Sequence, residues 1–226
     1  MEPNINTQKV SGEKPSLFGI ITSPALQFER MKNSNAVWGV FWLLAVLAGI
    51  VAVLGVYAYS QSPEGIQANA KLGAAAPPLA VSLGIGFVFG LIGMIIGFFI
   101  SAAVYKVLMM FMGNDTSYKK LLTIVVYTSF ITLIGLLVNY ILAMVLGGTG
   151  KEMYTGLGPI FSSTGGIVHG IAKSFEVFTI WGLVVTGLGL QVTAGLSKKQ
   201  ATILVIIFFI LSLGFGALGG LVPTMK

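Results

Sequence analysis

Residues 79–105, LAVSLGIGFVFGLIGMIIGFFISAAVY, contain no charged side chain and no proline. A bilayer's hydrocarbon core is about 30 Å thick and is crossed by about 20 apolar residues in an α-helix, which satisfies its own backbone polar groups. This run is long enough to cross. Its charge-free interval extends over 72–105, and four others, 33–63, 121–150, 177–197 and 200–225, share the property. The chain therefore reads as all-α: a polytopic membrane helical bundle of five transmembrane helices, with spans expected over 37–59, 79–112, 121–146, 175–194 and 201–221.

Composition agrees. Of 226 residues 55% are hydrophobic and 9% charged, whereas a soluble domain carries about 25% charged residues. The lipid bilayer is the first partner. A formal charge of +6 might suggest nucleic acid, but the basic residues lie in short segments beside the spans, so no nucleic-acid partner is expected. No cysteine is present, which excludes disulfides and thiolate metal sites. No cleavable signal peptide is visible, because a polar tail of more than thirty residues precedes the first apolar run near Val37.

The segments between spans set an orientation. Lys9, Lys14, Arg30, Lys32, Lys106, Lys119, Lys120, Lys198 and Lys199 fall on one side of a five-span chain, and Lys71, Lys151, Lys173 and Lys226 on the other. The positive-inside tendency then puts the N-terminus in the cytoplasm and the C-terminus outside. Residues 153–172 are also uncharged, but five glycines, Pro159 and several hydroxyls make them poor as a sixth span. They read as part of an external loop, 147–174, with a short helix near 166–174; a re-entrant dip stays open.

Residues 1–15 read as a disordered cytoplasmic tail. Ser23-Pro24 is an N-cap signal followed by proline at the first helical position. The helix it starts, within an interfacial segment 16–34, either lies on the cytoplasmic membrane surface or packs beneath the bundle. Trp38 and Trp42 at one end of span one, with Tyr57 and Tyr59 at the other, anchor its depth. A polar external loop ending at Pro77-Pro78 precedes span two.

Candidate functional residues are few. Gly86 and Gly90, and likewise Gly93 and Gly97, stand four apart in span two, with Gly187 and Gly189 in span four. Such spacing lets helices approach closely and is read as packing or interaction surface, in preference to a permeation hinge; it also permits a homo-oligomer. Glu176 stands at the head of span four, where it can pair with Lys173 or cap the bundle. Asn139 and Gln191 are the amides within spans, and Lys106 should snorkel from the end of span two. His169 has no second ligand near it, and HExxH, GxSxG and P-loop patterns are absent. No catalytic residue, metal ligand or cofactor site is expected.

The segments Phe18-Gly19-Ile20-Ile21-Thr22-Ser23-Pro24 through Phe28-Glu29-Arg30-Met31, Phe175-Glu176-Val177-Phe178-Thr179-Ile180-Trp181, Gly187-Leu188-Gly189-Leu190 and Leu196-Ser197-Lys198-Lys199-Gln200-Ala201 resemble the bacterial branch of the Yip-domain (YIPF) family of five-span membrane proteins. The resemblance covers most of residues 16–215 and implies the topology already drawn from the charges. Eukaryotic members bind small GTPases in membrane trafficking, but their cytoplasmic tyrosine-glycine motifs are not recognisable here, so that partner is not carried over. Bacterial members resemble accessory subunits, some associated with ABC-type exporters that protect against toxic peptides. The resemblance thus implies a non-catalytic protein of the bacterial cell membrane that binds other integral membrane proteins, an ABC exporter among them, and helps assemble or stabilise a transport complex. Such a protein should tolerate Glu176→Gln and Asn139→Ala, and lose packing with Gly90→Leu or Gly93→Leu. The alternative is a small solute or ion transporter using polar groups between spans two to four.

Overall fold

The computed structural model describes residues 13–34 and 37–221. The expected disordered tail lies outside the described residues as far as position 12. Among the described residues the chain is helical: α1 (Leu17–Thr22), α2 (Pro24–Lys32), α3 (Trp38–Gln61), α4 (Pro63–Leu72), α5 (Leu79–Phe111), α6 (Tyr118–Leu146), α7 (Gly166–Lys173), α8 (Val177–Val192) and α9 (Lys198–Leu221). Four of these, α3, α5, α6 and α9, are long and apolar enough to cross a membrane.

Helix α6 is the axis of the bundle. It buries fourteen of its residues, and α3, α5 and α8 pack against it. Its apolar residues run all round the helix, as a buried span requires. Helices α5 and α9 bury little of themselves within the chain and present Ile, Leu and Phe outward. Two ends are distinct. At one, α2 packs on α8, and the α5–α6 and α8–α9 turns meet: Asn114 Nδ2 and Thr116 Oγ1 donate to the carbonyl of Ala194 at 3.1 and 2.8 Å, and Gln200 Nε2 to that of Met112 at 3.3 Å. At the other lie α4, the segment 147–165 and α7.

Of the two placements open for the N-terminal helix, it packs into the bundle. Phe28 is wholly buried, its ring against the backbone of Gly189 and the side chain of Ile124, and the Thr193 hydroxyl donates to the Phe28 carbonyl at 2.9 Å. Gln27, also buried, accepts from the Ser16 amide at 2.8 Å, which folds α1 back onto α2.

One expectation needs correction. The loop expected after span one contains a helix: Ser62 accepts from the amide of Gly65 at 3.1 Å, and Pro63 opens α4. This is the same cap-plus-proline signal that starts α2. The fourth span, expected over 175–194, is found within two residues of those bounds as α8, but it is short for a crossing. Helix α8 has 16 residues, about 24 Å at 1.5 Å per residue and short of about 30 Å of hydrocarbon. Helix α7 continues its line along α9, as the antiparallel pairings show: Gly166 with Gly220, Gly170 with Gly216, Ser174 with Ser212, then Gly187 with Val205.

Candidate functional site

The α7–α8 break lies beside Phe209 and Ser212, since the Phe175 ring sits 5.3 Å from that of Phe209 and Ser174 Oγ donates to the Ser212 carbonyl at 2.9 Å. Any window of about 20 residues with which α9 crosses hydrocarbon includes those positions. Backbone at that depth has no water to bond, so every freed group needs a protein partner. Glu176 supplies two. As N-cap of α8 its carboxylate accepts from the amides of Phe178 and Thr179 at 3.1 and 2.6 Å and from the Thr179 hydroxyl at 2.8 Å.

A further donor comes from the connection between α6 and α7. The Thr155 hydroxyl donates to Glu176 Oε1, and Asn139 Nδ2 donates to that hydroxyl oxygen at 2.8 Å and to the Gly135 carbonyl at 2.8 Å. Asn139 Oδ1 in turn accepts the Thr155 amide at 3.0 Å. Around this knot the amide of Leu157 donates to the Phe175 carbonyl at 3.1 Å and that of Val177 to the Thr155 carbonyl at 3.3 Å, forming an antiparallel bridge between Gly156 and Glu176. A Cβ on Gly156 would lie 2.8 Å from the Phe175 oxygen, so the bridge requires glycine. Asn139 is 1% and Glu176 4% exposed.

Glu176 does not pair with Lys173. That lysine donates to the Lys151 carbonyl at 3.0 Å and to Glu152 at 3.3 Å, while His169 Nε2 stands 3.0 Å from the other Glu152 oxygen. Lys151 pairs with Glu64 of α4 and lies 5.1 Å from the Tyr59 ring centre. The carboxylate of Glu64 raises the Lys151 pKa above the ordinary lysine range. These contacts clasp α4, the 151–152 segment and α7 together, beside an outer cavity of about 810 Å³ against the last turns of α9.

The remaining predicted residues separate. Gly86 and Gly90 face α3: a Cβ at Gly86 would lie 2.6 Å from Val56 Cγ2, and one at Gly90 would meet Ala52 Cβ and lie 2.8 Å from the Ala48 carbonyl oxygen. At Gly93 and Gly97 an added Cβ would meet nothing of this chain within 4 Å. Gly187 takes Val205 of α9 against its backbone, and Gly189 takes Phe28 and Ile124. Lys106 folds onto the α5–α6 turn, donating to Asp115 at 2.8 Å and to the Thr116 carbonyl at 2.9 Å. That bond holds the Asp115 carboxyl below its usual pKa of 3.8. Gln191 lies in the last turn of α8, about 22 Å along the helix from Glu176. Asn139 and Glu176 therefore form one site and Gln191 and Lys106 do not join it.

Residues that sequence reasoning missed are Thr155 and Glu152, and the α7–α9 crossing. For the crossing a signal was present: Gly166, Gly170 and Ser174 match Ser212, Gly216 and Gly220 at spacing four. A Cβ on Gly170 or Gly216 would fall on the partner's carbonyl oxygen, which is backbone contact of the small-residue kind. Among the described residues no group of three or more His, Cys, Asp or Glu side chains gathers to hold a metal ion.

Comparison with known proteins bears on the whole chain. The Yip1 domain matches residues 18–219. Membrane protein YknW of Bacillus subtilis (strain 168) is 36% identical over 227 residues, covering 97% of each chain. No solved structure matches. The bundle of apolar helices is thus that of a multi-pass membrane protein, and the chain belongs to the Yip1-domain family.

Proposed function

We propose that this protein is a non-catalytic subunit of the bacterial cell membrane that binds other integral membrane proteins and helps assemble or stabilise a transport complex. The carrying observation is where the polar chemistry goes. Glu176, Asn139, Glu152, His169 and Lys173 spend their hydrogen bonds on one another and on local backbone, while α5 and α9 leave long apolar faces uncovered. A polar inventory consumed in this way supports a scaffold, whose work is contact through helix surfaces. The family's bacterial members suggest an ABC-type exporter as partner. The orientation that goes with this reading puts the α1–α2 end in the cytoplasm and the α4–α7 end outside, as the excess of lysine and arginine at the former supports.

Affinity purification in mild detergent, with the captured proteins identified by mass spectrometry, tests the proposal. Integral membrane proteins of a transporter should be recovered. Recovery of the chain free of partners, together with solute flux through the purified protein in proteoliposomes, would refute it.

A further inference from the structure

Helix α5 packs along α3 and α6 and reaches α8 through Tyr105, whose hydroxyl bonds Thr186. The gap between α5, α6 and α8 is a cleft of about 150 Å³, and seven of its ten lining residues carry hydroxyls. Ser101 and Tyr105 come from α5, Thr128, Ser129 and Thr132 from α6, Thr179 and Thr186 from α8. In a chain this apolar, such convergence at the middle of long spans is informative, because polar groups inside membranes face either the bundle interior or a water-filled cavity. At about 30 Å³ per molecule the cleft has room for about five waters.

The cleft has an opening and a floor. A second cavity of about 70 Å³ shares Thr132 and Thr179 with it and reaches Asn139, Met153 and Glu176 toward the α4–α7 end. At the opposite limit the Tyr105 ring lies 4.8 Å from that of Phe208, tilted by 50°, and the space beyond, between α5, α8 and α9, holds no water-sized room.

Its chemistry is selective. Thr128, Ser129 and Thr186 donate their hydroxyl hydrogens to carbonyls of their own helices at 2.9, 2.8 and 2.7 Å, and Thr179 donates to Glu176. Those oxygens still offer lone pairs, Thr186 taking the Tyr105 hydroxyl on one of its own, while Ser101 and Thr132 keep their hydroxyl hydrogens, so the cleft can both accept and donate. No carboxylate or ammonium lines the main cleft, and Glu176 at its mouth already accepts from four donors. A bare ion would find no counter-charge there. We propose that the cleft is a hydrated site for small uncharged hydrogen-bonding molecules, such as water, ammonia, primary amides and small alcohols, entered from the α4–α7 end. This assignment does not depend on the partner proposed above.

The absence of cysteine makes the test direct. Single variants Thr132→Cys and Ser129→Cys, with Ile96→Cys on the outward face of α5 as the lipid-side control, are reconstituted in proteoliposomes and exposed to iodoacetamide, a small uncharged amide that alkylates the thiolate, which forms only where water reaches. Ser101→Cys reads the same cleft should either variant fail to fold, as judged by size-exclusion chromatography. Modification of the cleft thiols should run at least tenfold faster than at Ile96→Cys, and formamide should slow it more than formate at equal concentration. Rates equal to the control would mean that lipid fills the cleft and would overturn the site. Equal protection by formamide and formate would overturn its preference for uncharged molecules.

Discussion

Glu176 does the work that water does at an exposed helix start. Its four accepted hydrogen bonds satisfy the first turn of α8 and hold Thr155. An N-cap is worth about 1 kcal/mol and each bond to a charged group about 1.5–3 kcal/mol. Glu176→Ala should therefore cost about 2–4 kcal/mol and lower the thermal midpoint in detergent. Glu176→Gln keeps an acceptor but turns an amide NH₂ toward donors, so it is not silent as the bare sequence suggested. Asn139→Ala strands the Thr155 amide and should cost about 1–3 kcal/mol; a midpoint unchanged in both alanine variants would contradict the knot. Glycines divide by what surrounds them. Gly90→Leu pushes into Ala52 and the Ala48 carbonyl and should destabilise by about 1–3 kcal/mol or more, whereas Gly93→Leu enters open space and should leave the midpoint in place. At the α5–α6 turn the sign of the pH effect follows from a depressed carboxyl: the Asp115–Lys106 bond contributes above the ordinary pKa of 3.8 and is lost as pH falls through the lower folded value. In a Lys106→Met variant, the carboxyl titration of Asp115 followed by NMR should move back up.

At the scale of the element, the fourth span repays a comparison between what its residues announce and what they do. Its expected start, Phe175, falls at the break itself, but hydropathy does not show that the line resumes on the other side as α7. The partner that fixes the break, Thr155, lies on a loop whose position no local pattern dictates. Spans α3, α5, α6 and α9 were legible because each charge-free run had only one solvent that could take it. Helix α4 was legible too, in Ser62-Pro63, but its polarity suggested a loop. The α7–α9 crossing was half legible: both small-residue rows are in the sequence, and their mutual pairing is a long-range fact. Since α7 and α9 touch through backbone, Gly170→Leu or Gly216→Leu should pry them apart and broaden the size-exclusion peak, while Gly214→Leu and Gly219→Leu, where a side chain meets nothing, should not.

For the whole molecule, charge and architecture make one prediction together. In the proposed orientation a cysteine replacing Ser117, in the α5–α6 turn, should react with an impermeant maleimide only after cells are permeabilised, and one replacing Ser162 should react from outside intact cells; the opposite pattern would invert the bundle. The buried seat of α2 carries a different implication, about time. Phe28 leaves the ribosome early, yet the groove it fills is closed by Gly189, and its carbonyl waits for Thr193, 165 residues later. At about 5–20 residues per second that interval is roughly 8–33 seconds. Until then a fully apolar ring must be held without its pocket, and the first helix to be made becomes among the last to dock. The N-terminal segment thereby reports completion: it can seat only in a chain whose α8 has already been inserted.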